Sequence, residues 1–316
     1  MKTLGDSALG QVGRRLAGQL YVDRDRDHRN SVFLAGSGRS GTTWVADIIN
    51  YRNEYRYIFE PFHRHKVPLC APFKYRQYLR PDDADPIFRE PAKRILTGDV
   101  RNLWTDKYNR KRVSSRRLLK DVRANLFLKW MHVQFPGMPI VLLLRHPCAV
   151  ASSRLKVDWQ GGTDLRQFLA QPRLVEDHLA PFRDAMAGAQ DDYERMIFFW
   201  CVENYVPLRQ FSAGQIHVVL YEALCVEPER EIERLFAFLG TPFDTQILRS
   251  VARPSSATRK DSAIVSGESL IGGWTKHLSA EQVTRAAEIL ELFELDRIYG
   301  RSPTPTAEVA EQTFSS

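Results

Sequence analysis

Cysteine is scarce in this chain. Cys70, Cys148, Cys201 and Cys225 are scattered, with no Cys-x-x-Cys pair among them. That spacing argues against a zinc site and a disulfide framework, and suits a reducing compartment. Long apolar runs are absent too, and the first residues hold no apolar signal core. A cytoplasmic protein without a membrane span is the expectation. No internal repeat is present. The one dense basic run, Arg110–Arg117, has no aromatics interleaved. It is expected to be a solvated loop, with no nucleic-acid partner.

What is present supports a sizeable core: 43% of the 316 residues are hydrophobic, enough for one large α/β domain. A net charge of +7 implies an anionic partner. The informative stretch is Ser31–Trp44. Ser31–Ala35 is a short apolar run, read as a buried parallel strand, and Thr42–Asn50 reads as a helix. Between them stand Gly36, Gly38 and Gly41, in the G-x-x-x-x-G spacing of a P-loop. A strand–glycine loop–helix of this kind aims backbone N–H groups and a helix N-terminus at an anion.

Two departures from a nucleotide-hydrolysing P-loop stand out. Thr42 occupies the lysine position while Arg39 lies inside the loop, and the best second strand, Ile140–Leu144, ends in Arg145. An acidic residue there would hold magnesium. An arginine instead binds phosphate with its two-pronged guanidinium. The loop is therefore expected to take a phosphate-bearing donor without a metal. Ser153, on the helix that Pro147 opens, is placed to converge with Arg145 on one dianionic phosphate.

Tyr57–Glu60, Leu118–Lys120 and Ile216–Leu220 read as three further strands. Helices are expected over Ala124–Phe135, Asp164–Gly188, Asp191–Phe211 and Glu229–Leu239, and from the capping box Ser279–Gln282 to Glu294. Proline-dense Pro68–Pro91 reads as an irregular packed insertion that carries an acceptor surface. Five strands alternating with helices give an α/β, P-loop-containing fold with a central parallel sheet flanked by helices.

In this order the motifs resemble the sulfotransferase family, enzymes that use 3′-phosphoadenosine-5′-phosphosulfate (PAPS). Arg39-Ser-Gly-Thr-Thr-Trp44 is similar to the family's 5′-phosphosulfate loop, and Arg145 to Ser153 to its 3′-phosphate motif. Leu220-Tyr221-Glu222, followed by Glu227-Pro228-Glu229 and Arg234–Gly240, is similar to a third block. Tyr57–His63 resembles the Glu-Pro segment of carbohydrate sulfotransferases, and Leu119-Lys120-Asp121 a Lys-Asp block of Golgi-type enzymes. Val122 stands where cytosolic members carry a catalytic histidine. Their C-terminal block survives only as Gly272-Gly-Trp274, which puts in question any phosphate contact from that end.

The resemblance implies one sulfotransferase domain over residues 31–300, after a leader or surface helix (1–30) and before a disordered tail (301–316). It implies PAPS as donor, no metal, and a small-molecule or glycan acceptor bearing a hydroxyl. Gly38, Arg39, Ser40, Gly41, Thr42, Thr43, Arg145 and Ser153 would bind the donor, with Trp44 and Tyr221 covering its base. Arg39 and Lys120 would stabilise the leaving phosphate. Glu60, at a strand end and partly desolvated, is expected to be a base of raised pKa, with His63 and His65 as runners-up. A magnesium-dependent kinase or nucleotide hydrolase and a non-catalytic nucleotide or nucleic-acid module are the competing readings.

Overall fold

The five apolar runs form one parallel sheet. In the computed structural model, which describes residues 21–157, 163–248 and 270–306, its strands are β2 (Ser31–Gly36), β3 (Arg56–Phe59), β5 (Arg117–Asp121), β6 (Ile140–Leu144) and β7 (His217–Leu220). Their spatial order is β3-β5-β2-β6-β7, every neighbour parallel. A small ladder of β1 (Val22–Asp23) and β4 (Val113–Ser114) lies apart from it.

Successive strand residues point to opposite faces, and both faces are covered. Phe33, Ile58, Leu119 and Leu142 join the larger apolar cluster, whereas Val32, Leu34, Leu118, Val141 and Leu143 join the smaller. On the smaller side pack α1 (Thr42–Ile49), α6 (Tyr221–Val226) and α7 (Pro228–Phe238). On the larger side pack α2 (Pro86–Leu96), α3 (Leu128–Gln134), α4 (Pro147–Leu155), α5 (Asp192–Gln210) and α8 (Ala280–Leu292). The capping box at Ser279 and Gln282 opens α8 as expected.

Three expectations change. Part of the proline-dense insertion is the helix α2: Pro86 sits in its first turn, Asp85 caps it, and its apolar face (Ala92, Ile95, Leu96) is buried despite Pro91. The packed face outweighs the hydrogen bond that Pro91 cannot donate. Residues 21–30 are no loose leader. Asp23 is buried between Arg117, at 2.8 Å, and Arg56, at 3.4 Å, and Arg56 also pairs with Asp106 at 3.0 Å. Arg117, expected in a solvated loop, is fully buried and also donates to the Ser31 hydroxyl at 2.8 Å. These ion pairs sit at the amino ends of β2, β3 and β5, which are thereby tied together at the edge opposite the glycine loop. The third change is in 164–188, which is a succession of short helical turns rather than one helix. Residues 1–20 and 307–316, and with them most of the expected leader and tail, lie outside the described residues.

Candidate active site

The candidate groups collect where the chain leaves the carboxyl ends of the sheet strands, the edge at which open parallel sheets bind ligands. After β2 the loop turns through Arg39 (φ 77°) and Gly41 (φ 99°) into α1. A side chain at Gly41 would be strained at that φ, and its Cβ would stand 2.9 Å from the Tyr221 ring. Gly41 is the N-cap and supplies no capping side chain, so the first amides of α1 are left for another acceptor. The loop itself is braced. Arg154 Nε donates to the Gly38 carbonyl at 3.2 Å, and Asn204 Nδ2 to the Ser37 hydroxyl at 3.2 Å. Ser40 Oγ is buried with no hydrogen-bond partner among the described residues. An uncapped helix start beside an unsatisfied buried hydroxyl fits an anionic group.

Arg145 follows β6. One of its terminal nitrogens donates to the Arg39 carbonyl at 3.3 Å, the other to the Leu270 carbonyl at 3.2 Å, while its buried Nε has no partner among the described residues. Its guanidinium lies 4.2 Å from the centroid of the Tyr221 ring, the same ring that touches Gly41. Arg39 Nε donates to Ser153 Oγ at 3.0 Å. Arg39, Arg145 and Ser153 therefore form one connected cluster, with Arg39 reaching the end assigned to the 3′-phosphate motif. The C-terminal block also arrives there: Trp274 stacks on His146 at 4.6 Å. Glu222 of the third block accepts from the His146 amide at 2.9 Å and from the Tyr299 hydroxyl at 2.7 Å, fixing the start of α4.

Glu60 follows β3 in a left-handed conformation (φ 42°), costly for a residue with a Cβ. Its carboxylate pairs with Lys120 Nζ at 2.9 Å and with Arg123 at 2.6 Å. Burial pushes its pKa up, but the two cations outweigh burial and hold it down to about 2. This overturns the expected raised pKa, because a partner cation on each carboxylate oxygen favours the charged form more than desolvation disfavours it. Lys120 salt-bridges to Glu60 and not to its neighbour Asp121, which projects from the other face of β5 and accepts from the amides of Phe62 and Arg123. The runner-up His63 is packed edge-on against Trp104, and its pKa is lowered to about 4 by burial and by Arg123.

The sequence reading missed Arg123, Arg154, Asn204 and Lys107. Lys107 Nζ lies 3.9 Å from the ring centroids of both Phe59 and Trp104, and burial lowers its pKa. Arg154 closes the Arg145–Ser153 motif and Arg123 follows the Leu119-Lys120-Asp121 block, but neither was given a role; Asn204 and Lys107 lie in segments without a motif. Trp44 and Tyr221 stand together beside the loop. Both are buried and lean on each other at 5.3 Å, and Tyr221 stands between Gly41 and Arg145. Cys148 is buried against the Tyr193 hydroxyl, and burial pushes its thiol up to about 11, as suits a filler.

No curated protein matches the sequence. Solved structures with a similar chain path include the sulfotransferase domain of the Synechococcus PCC 7002 olefin synthase, 16% identical, covering 87% of this chain and 98% of that one at a TM-score of 0.48. A mouse sulfotransferase solved with PAP is 15% identical, covering 93% and 94% at 0.44. A sulfotransferase from Mycobacterium avium is 14% identical, covering 91% and 83% at 0.43. The family model described as the sulfotransferase family matches residues 31–245, more than half of the chain. On that match, this chain belongs to the sulfotransferase family.

Proposed function

We propose that this sulfotransferase moves a sulfuryl group from PAPS to a hydroxyl of a small-molecule or glycan acceptor, with Glu60 as the base. One observation carries the reading. The uncapped loop, the Arg39–Arg145–Ser153 cluster and the Lys120–Glu60 pair all lie along the same carboxyl edge of one sheet. The glycan preference rests on the resemblance of Tyr57–His63. We assign the work to one domain over 31–300, and place it in the cytoplasm because the four cysteines are free.

In this reading the amides of Ser40–Thr43 and the hydroxyls of Thr42 and Thr43 hold the phosphosulfate arm. Arg145 and Ser153 hold the 3′-phosphate, and Arg39 neutralises charge between the two. Positioning and charge stabilisation supply most of the rate enhancement. The bond from the donor phosphate oxygen to sulfur breaks as a bond from the acceptor oxygen to sulfur forms. Glu60 takes the hydroxyl proton. Lys120 turns from Glu60 to hydrogen-bond the departing phosphate oxygen, which removes one of the two cations that suppress the basicity of Glu60.

Calorimetry with adenosine 3′,5′-bisphosphate (PAP), the desulfated donor, tests the site. Arg145→Ala should weaken binding by about 2–3 kcal/mol, the range for a charge-assisted hydrogen-bonding pair. Ser153→Ala should weaken it less. Unchanged affinity in both variants refutes the assignment.

A further inference from the structure

Next to Glu60, the loop after β3 and residues 73–76 of the insertion line a pocket of about 80 Å³. Phe62, Phe73, Tyr75 and Phe127 provide its apolar surfaces. Every other lining residue is a cation or a histidine: His63, Arg64, His65, Lys74, Arg76 and Arg123. No carboxylate among the described residues lines it.

Three nitrogens of these residues, His63 Nδ1, Arg76 Nε and Arg123 Nε, are buried without a hydrogen-bond partner among the described residues. Arg76 and Arg123 already engage Glu203 at 2.7 Å and Glu60 at 2.6 Å, yet each keeps this N–H unsatisfied. An N–H of a guanidinium can only donate, so what completes it is an acceptor atom. Arg64 and Lys74 are exposed and form no ion pair among the described residues. Burial and Arg123 disfavour charge on His63 against the pull of Glu60, so an added anion beside it would favour its protonation.

We infer that this pocket binds an oxyanion carried by the acceptor, a carboxylate or a sulfate ester, so that the substrates are acidic hydroxyl compounds. The inference rests on the sulfotransferase reading of the adjoining Glu60 and adds the acceptor's chemical class. Arg123 both lines the pocket and pairs with Glu60, so the acceptor's anion sits one side chain from the base that receives its hydroxyl proton. The volume accommodates one such group, with Phe62, Phe73 and Phe127 flanking the ring or chain that bears it.

The test uses matched acidic and neutral acceptors with PAP bound: para-hydroxyphenylacetate and para-hydroxyphenyl sulfate against para-hydroxyphenylethanol, and glucuronate against glucose. Calorimetry should show an acidic member binding about tenfold more tightly than its neutral partner. The double variant Arg64→Gln/Lys74→Gln should lose three- to tenfold of that preference, about the yield of two exposed cations, while PAP affinity stays the same. In NMR titrations the His63 imidazole should gain basicity saturably as the acidic probe is added, with or without PAP. The carboxylate and sulfate probes report which oxyanion the pocket prefers. Equal binding of acidic and neutral members, or no response of His63 to any acidic probe, overturns the inference. Failure of the wild type to bind PAP instead counts against the donor reading, and the His63 titration still decides the pocket.

Discussion

Replacing Glu60 with glutamine separates what the carboxylate does for the fold from what it does for the chemistry. The carboxylate is held from its ordinary 4.5 down to about 2 by Lys120 and Arg123. At about 1.4 kcal/mol per pH unit, that corresponds to stability on the order of 3 kcal/mol at neutral pH. Glu60→Gln keeps the shape but leaves the buried Lys120 and the partly buried Arg123 facing a neutral amide, a cost near the lower end of the range of about 3–5 kcal/mol for breaking a buried pair. Because the folded-state pKa is the lowered one, the contribution is present above pH 4.5 and fades as the pH falls from there towards 2. Urea unfolding of wild type and variant should therefore differ by about 3 kcal/mol at pH 7 and converge in acid. Removing a cation along with the charge, as in Glu60→Gln/Lys120→Met, should recover part of the loss. Labelled-PAPS assays at a temperature where both proteins are folded should show turnover falling at least a hundredfold, the scale of a lost general base, with PAP affinity retained. Equal stability at pH 7 refutes the ion-pair argument, and unchanged turnover refutes the base.

Two further changes probe the supports of the loop. Gly41→Ala forces a Cβ into a left-handed conformation and against Tyr221, so unfolding experiments should show a loss of at least about 1–2 kcal/mol, with weaker PAP binding. Retained stability and affinity would mean that the turn does not need glycine. Glu203 joins Arg76 at 2.7 Å to Arg154 at 3.2 Å, and Arg154 holds the Gly38 carbonyl. Glu203→Gln should cost about 3–5 kcal/mol in urea unfolding by stranding two buried guanidinium groups. An effect under 1 kcal/mol would show that the pairs are not coupled to the fold.

The sequence alone determined the parts whose signal is local. The glycine loop and the helix after it, the buried strand Ile140–Leu144 that delivers Arg145, the helix opened by Pro147 and the Ser279 capping box are each written in contiguous residues, and each forms. Helix α2 was hidden because proline density outweighs a short apolar face in any local reading, whereas burial of Ala92, Ile95 and Leu96 is a tertiary gain. The tertiary structure also decided which charges meet. Asp23 finds Arg117 across 94 residues, Glu60 finds Arg123 across 63, and Arg39 finds Ser153 across 114. A side chain's ionisation depends on such partners and on burial together, which is why Glu60, read from sequence as a desolvated carboxylate of raised pKa, is instead a doubly paired anion.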